Sequence, residues 1–154
     1  MEKNETDSAI EIEPEMIHMS FADIDEVTVV TLDWDVSFDT YIASNNMKEL
    51  FKFVDQNHDW IRQIEVRNSA SGNCHVRLIT EPLTVFEMFQ WRAILRDDYR
   101  RIVIDLKRLF EHREYNRLWD FKMMADGSEN VVRAGDWQTI YSINGWKINR
   151  PVQP

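Results

Sequence analysis

The sequence predicts an α+β domain whose central elements follow the order strand, helix, strand, strand, helix, strand. Three observations carry that order. Val27 to Val36, "VTVVTLDWDV", is rich in the β-branched residues that suit a pleated, buried surface. Two alternating stretches, "IRQIEVRN" (61–68) and "CHVRLIT" (74–80), flank the turn-forming "SASGN" and so form a hairpin. Thr84 and Glu87 stand three residues apart just after Pro82, the spacing of a capping box at a helix start.

The remaining elements follow from the same rules. Ser37 is placed to cap a first helix beginning at Phe38, with Phe38, Tyr41, Ile42, Met47, Leu50, Phe51 and Val54 at helical spacing. Asn45-Asn46 interrupts the phase, so one bent helix or two short ones are expected. Pro82 is expected to end the third strand. The second helix carries Val85, Met88, Phe89 and Leu95 on one face and stops at Asp97-Asp98. "RRIVIDLKR" (100–108) is expected to be the fourth core strand. A further helix is expected over about Leu109 to Met124, with Phe110, Leu118 and Phe121. "TIYSINGWKINR" (139–150) is expected to be a hairpin turning through a type I′ turn at Asn144-Gly145.

The six-element order is that of ferredoxin-like and RRM-like domains. It places the first strand centrally, between the third and the fourth. The boundaries are a disordered acidic leader at 1–15 and a single domain at 16–154. Within the domain, the core spans about 27–108 and a C-terminal helix and hairpin about 109–150. "MIHMSF" (16–21) is a candidate for a short additional strand. Taking the first and third strands as parallel puts His75 and Asp105 about 10–13 Å along the sheet from Asp33 and Asp35.

Composition narrows the function classes. The net charge is −9, and residues 1–26 hold nine acids against one base, Lys3, so the body is nearly neutral. Between Arg92 and Lys122 nine bases outnumber six acids. Nucleic acid is therefore not excluded as a partner. A single cysteine, Cys74, rules out an internal disulfide framework and a cysteine-based zinc cluster. No apolar run reaches membrane-span length and the acidic N-terminus lacks a signal-peptide core, so a cytoplasmic, non-membrane protein is expected.

Three features can carry chemistry. Asp33 and Asp35, two residues apart in a strand, project together on one face, with Leu32, Trp34 and Val36 on the other. His75 enters the third strand from the "SASGN" turn. Asp105 lies among Ile102, Val103, Ile104 and Leu106. Converging carboxylates make an oxygen-ligand site for hard divalent cations, and two such ions can orient an in-line attack on phosphorus. The same residues equally suit a solvated strand face and a pairing of Asp105 with Arg101 or Lys107.

"LDWD" (32–35), "SASGNCHV" (69–76) and "RIVID" (101–105) resemble the three motifs of the archaeo-eukaryotic primase superfamily. The family's core is RRM-like, its motif aspartates bind catalytic metals and its motif histidine contacts the incoming nucleotide. The resemblance covers roughly residues 27–108. It implies that Asp33, Asp35 and Asp105 hold Mg²⁺ or Mn²⁺ as catalytic and metal-binding residues. Ser71 and His75 would touch a nucleoside triphosphate, and Arg77 or Lys107 would neutralise charge. The implied reaction is nucleotidyl transfer on a nucleic-acid strand, with an origin on a mobile element such as a plasmid or virus. The departures are Asn73-Cys74, where the family often has glycine, and a short spacing from His75 to Asp105.

Two other classes compete. A non-catalytic module on the same fold would bind nucleic acid or a protein partner, the latter through the acidic leader or the C-terminal hairpin. A replication-initiator nuclease of the HUH type would need a second histidine at Arg77 and a nucleophilic tyrosine such as Tyr99 or Tyr115.

Overall fold

A computed structural model describes residues 26–123 and 131–149. The acidic leader and the "MIHMSF" stretch lie outside the described residues. Among the described residues the fold is α+β, with three α-helices and a five-stranded antiparallel sheet. In chain order the elements are β1 (Val27–Trp34), α1 (Tyr41–Asn57), β2 (Ile61–Asn68), β3 (Cys74–Leu83), α2 (Val85–Ile94) and α3 (Tyr99–Phe110). The short strands β4 (Phe121–Met123), β5 (Val131–Arg133), β6 (Gln138–Ser142) and β7 (Gly145–Trp146) follow. The sheet order is β1-β3-β2-β6-β7, and β4 pairs with β5 separately. No helix among the described residues is long and apolar enough to cross a membrane.

Strand alternation sorts the sheet into two faces. Val30, Leu32 and Trp34 of β1, Ile64 of β2, and Cys74, Val76 and Leu78 of β3 are buried on one side. They form one core with Leu50, Phe53 and Val54 of α1 and Val85, Met88, Phe89 and Trp91 of α2. Thr40, not Ser37, caps α1 by accepting from the Ala43 N–H, and the helix runs unbroken through Asn45-Asn46. The capping box at Thr84 and Glu87 is present in full. Strand β3 continues through Pro82 to Leu83, where a register shift against β1 spares proline a ladder donor.

Residues 100–108 are the main departure from the expected architecture. They belong to helix α3, capped by the Asp98 side chain. Its β-branched run imitates a strand, and its faces are inverted relative to the usual pattern. Asp105 points inward with Leu109, while Val103, Ile104 and Leu106 face outward. The expected C-terminal helix is absent over the described part of its range. Helix α3 ends at Phe110, and His112 and Asn116 adopt left-handed backbone angles that no α-helix sustains. The C-terminal hairpin forms, but Ser142 pairs with Gly145, so its two-residue loop is Ile143-Asn144. Only Gly145 has positive φ there, which excludes a type I′ turn.

Strand β1 is therefore an edge strand, not a central one, and β1 and β3 run antiparallel rather than parallel. Its outer backbone groups still find partners, because buried polar groups left alone are costly. Asn116 accepts from the Thr31 N–H at 3.1 Å and donates to the Val29 carbonyl at 2.8 Å. Asp97 accepts from the Asp33 N–H at 2.7 Å, and the Asp98 N–H donates to the Asp33 carbonyl at 3.1 Å. Arg101 donates to the Thr31 carbonyl at 3.1 Å. Side chains and one loop amide do the work of the missing strand.

Candidate functional site

The antiparallel register removes the offset expected between Asp33 and His75. Asp33 lies opposite His75, and His75 lies opposite Arg67, so the three form one row across β1, β3 and β2. This row is on the sheet face away from α1 and α2. The Arg67 Nε–H donates to His75 Nδ1 at 3.0 Å. That bond leaves the ring proton of a neutral imidazole on Nε2, which faces Asp33 Oδ2 at 3.9 Å. Burial, reinforced by the positive charges of Arg67 and Arg101, pushes the His75 pKa down to about 4. Burial is also the main cause that pushes Asp33 up to about 6, with Asp97, Asp98 and Asp35 adding to it and Arg101 opposing. At neutral pH the histidine is uncharged, so the 3.9 Å approach is not an ion pair.

Arg67 also fixes the wall beside this row. Its guanidinium donates to Asp120 at 2.9 Å and to the Trp119 carbonyl at 3.1 Å. Trp137 packs under both Arg67 and Arg77, 4.3 and 4.1 Å from the ring centre. Between the row, the β2–β3 turn, α3 and the 117–119 segment lies an open cavity of about 330 Å³. Asp33, Ser71, His75 and Asp105 all line it, so four of the residues singled out from sequence share one site. Arg100, Arg101, Arg108 and Arg117 line it too, with Trp119 at the rim. A recess of about 320 Å³ shares Arg108, Arg117 and Trp119 and adds Arg113.

The other three sequence candidates lie elsewhere. Strand β1 ends at Trp34, and the Val36 N–H bonds back to the Trp34 carbonyl at 2.7 Å, turning the chain at Asp35. Asp35 thus leaves the face it was expected to share with Asp33 and accepts from Asn73 at 2.9 Å. Arg77 pairs with Glu65 at 2.9 Å. Lys107 is exposed on α3 near Glu111. Of the alternative nucleophiles, Tyr99 is exposed and Tyr115 stacks on Phe89.

Asp105 is committed to a buried charge network. Its Oδ2 accepts from Arg92 at 2.8 Å and from the Asn116 N–H at 2.9 Å, and Arg108 lies 3.4 Å from its Oδ1. Arg92, fully buried, also donates to Asp97 at 2.7 Å, and Arg101 reaches the same Asp97 oxygen at 2.8 Å. The turn that delivers Asp97 follows α2. Arg96 adopts a left-handed φ of 66°, while the Asp97 N–H bonds the Arg92 carbonyl at 2.9 Å. Three arginines thus face two aspartates, and a divalent ion added there would lack compensating charge. Of the three aspartates expected to share a metal, Asp33 and Asp105 line the cavity, Asp105 is held by Arg92, and Asp35 is bonded to Asn73. Among the described residues no group of three or more His, Cys, Asp or Glu side chains is arranged to hold a metal.

Sequence reasoning did not single out Arg67, Arg92, Asp97, Asn116 and Trp119 as site residues. The i, i+4 spacing of Asp97 and Arg101 was a readable signal once the helix was recognised. Arg92 had none, since it sits in "MFQWRAIL" among core residues. Cys74 is fully buried, and burial pushes its thiol up to about 12, which leaves it unreactive. No family model, curated protein or solved structure matches the chain.

Proposed function

We propose that the chain binds a single nucleic-acid strand through the arginine-lined cavity and performs no chemistry on it. The observation that carries this proposal is the grouping of Arg100, Arg108 and Arg117 with a half-exposed Trp119 around one concave site, where a phosphate would compete with Asp105 for Arg108 and with Glu114 for Arg117. Strand binding needs cations for the phosphates and an aromatic face for a base. The Arg117 guanidinium stands 4.7 Å from the Trp119 ring centre, so the charge and the stacking surface are adjacent. Arg113 and Glu114 line the neighbouring recess, where Arg113 pairs with Glu111 at 3.3 Å. We take the β1-β3-β2 order as a ferredoxin-like arrangement with α3 standing where a last strand would be.

The test is fluorescence anisotropy of a labelled single-stranded oligonucleotide across a salt series. Three phosphate contacts give a slope of log K against log salt of about −2, and Arg100→Ala or Arg117→Ala reduces it by about 0.7. No binding at low salt, or identical slopes for all variants, would refute the proposal.

One observation favours a second reading, the primase-like nucleotidyltransferase. Asp33, Ser71, His75 and Asp105 line a common cavity. Against it stands the commitment of Asp105 to Arg92. Primer extension by the wild type with Mg²⁺ or Mn²⁺, abolished by Asp33→Ala, would put this second reading first.

A further inference from the structure

We infer that the buried Arg92 guanidinium is the resident cation of this site, bridging two acidic side chains as a divalent ion would. The geometry is that of a bridge. One guanidinium spans Asp97 at 2.7 Å and Asp105 at 2.8 Å, with no exposure to solvent. Each of those carboxylates in turn holds the β1 edge. Asp97 accepts the Asp33 N–H, and Asp105 accepts the N–H of Asn116, which bonds Thr31 and Val29. A metal ion bound by two carboxylates would organise the strand end in the same way, by fixing their oxygens. The guanidinium has the advantage of permanent charge and covalent attachment.

The charges around the bridge account for its exclusivity. With Arg101 against Asp97 and Arg108 against Asp105, three positive charges face two carboxylates while Arg92 is present, so a second cation is repelled, and removing Arg92 takes away that excess. Arg92 is thus a positioning residue. It acts on the cavity through Asp97, Asp105 and Asn116 and touches no ligand. If the strand-binding proposal also holds, that binding persists when divalent ions are chelated, because arginines meet the phosphates directly.

The primary test needs no ligand. Mn²⁺ is titrated into wild-type protein, Asp105→Asn and Asp33→Asn, with paramagnetic water relaxation as the readout. The inference predicts the same weak, non-specific binding in all three. A dissociation constant below about 1 mM in the wild type, weakened about tenfold by Asp105→Asn, would overturn it. The second test is the thermal midpoint of Arg92→Met with and without Mn²⁺. Once the guanidinium is gone, Asp97 and Asp105 are left as two close carboxylates. The inference predicts that Mn²⁺ then raises the midpoint of Arg92→Met and leaves the wild type unmoved. A folded Arg92→Met that gains no response to Mn²⁺ contradicts the bridging role, and if the variant does not fold the wild-type titration decides alone. Oligonucleotide binding in EDTA separates the two claims. Loss of binding on chelation counts against the resident cation, whereas absence of binding under all conditions counts against strand binding only.

Discussion

The two faces of the same three strands are built on opposite principles. On the helix side, Leu32, Val76 and Leu78 alternate with the polar row and are held by burial, which has no direction and tolerates changes of shape. On the cavity side, Asp33, His75 and Arg67 are held by aimed donors and acceptors, and the adjoining Arg92 bridges Asp97 and Asp105 while one of its buried nitrogens has no hydrogen-bond partner among the described residues. Burial stabilises the sheet without direction, while the polar network both stabilises it and sets where the cavity's side chains stand.

The sharpest way to break that contrast is to substitute the core of each side and compare. Leu78→Ala is expected to cost about 2–5 kcal/mol in urea unfolding, and Leu78→Met under about 1.5 kcal/mol. Asp105→Ala is expected to cost about 3–5 kcal/mol, since it removes one of the two carboxylates that hold the buried Arg92 and leaves the Asn116 N–H without its acceptor. A near-neutral Asp105→Ala would show that the polar side is passive.

A smaller effect is expected at the β1 edge. Asn116→Ala removes the partners of the Thr31 N–H and the Val29 carbonyl together, at about 2 kcal/mol, measured by the same unfolding assay. Amide exchange at Thr31 should quicken in that variant while amides of β2 keep their protection.

The smallest effect is a pH dependence in which two groups oppose each other. Asp33 has its pKa raised from 3.8 to about 6, so the folded state holds a proton that the unfolded chain has released. Its contribution therefore improves as pH falls from about 6 toward 3.8. His75 is lowered from 6.5 to about 4, so the unfolded chain binds the proton first and stability is lost as pH falls through that window. The wild type should be nearly flat between pH 6 and 4. Asp33→Asn should lose stability steeply on acidification, and His75→Gln should gain it. Parallel curves for the two variants would show that these groups are not buried together.

The helix-side face was legible because apolar residues at period two, and the capping box at Thr84, are local signals. The hairpin of β2 and β3 was legible for the same reason. The polar side was not, because its meaning depends on partners far away in sequence. "RRIVIDLKR" has the composition of a strand, and only the pairing of Asp105 with a core arginine explains why its polar residue turns inward on a helix. Asp33, Ser71, His75 and Asp105 were found from motif spacing and share the cavity. Asp35 was lost because β1 ends one residue before it. Asn116 could not be anticipated, since its function is to complete the edge of a strand 85 residues earlier.

Hydrogen–deuterium exchange with and without a single-stranded oligonucleotide tests strand binding at the arginine-lined cavity most directly. The account predicts slowed exchange confined to residues 69–75, 100–108 and 117–119, where the cavity wall lies. Unchanged exchange there, or protection centred instead on the separate apolar recess of Phe38, Met47, Ile140 and Ile148, would contradict it.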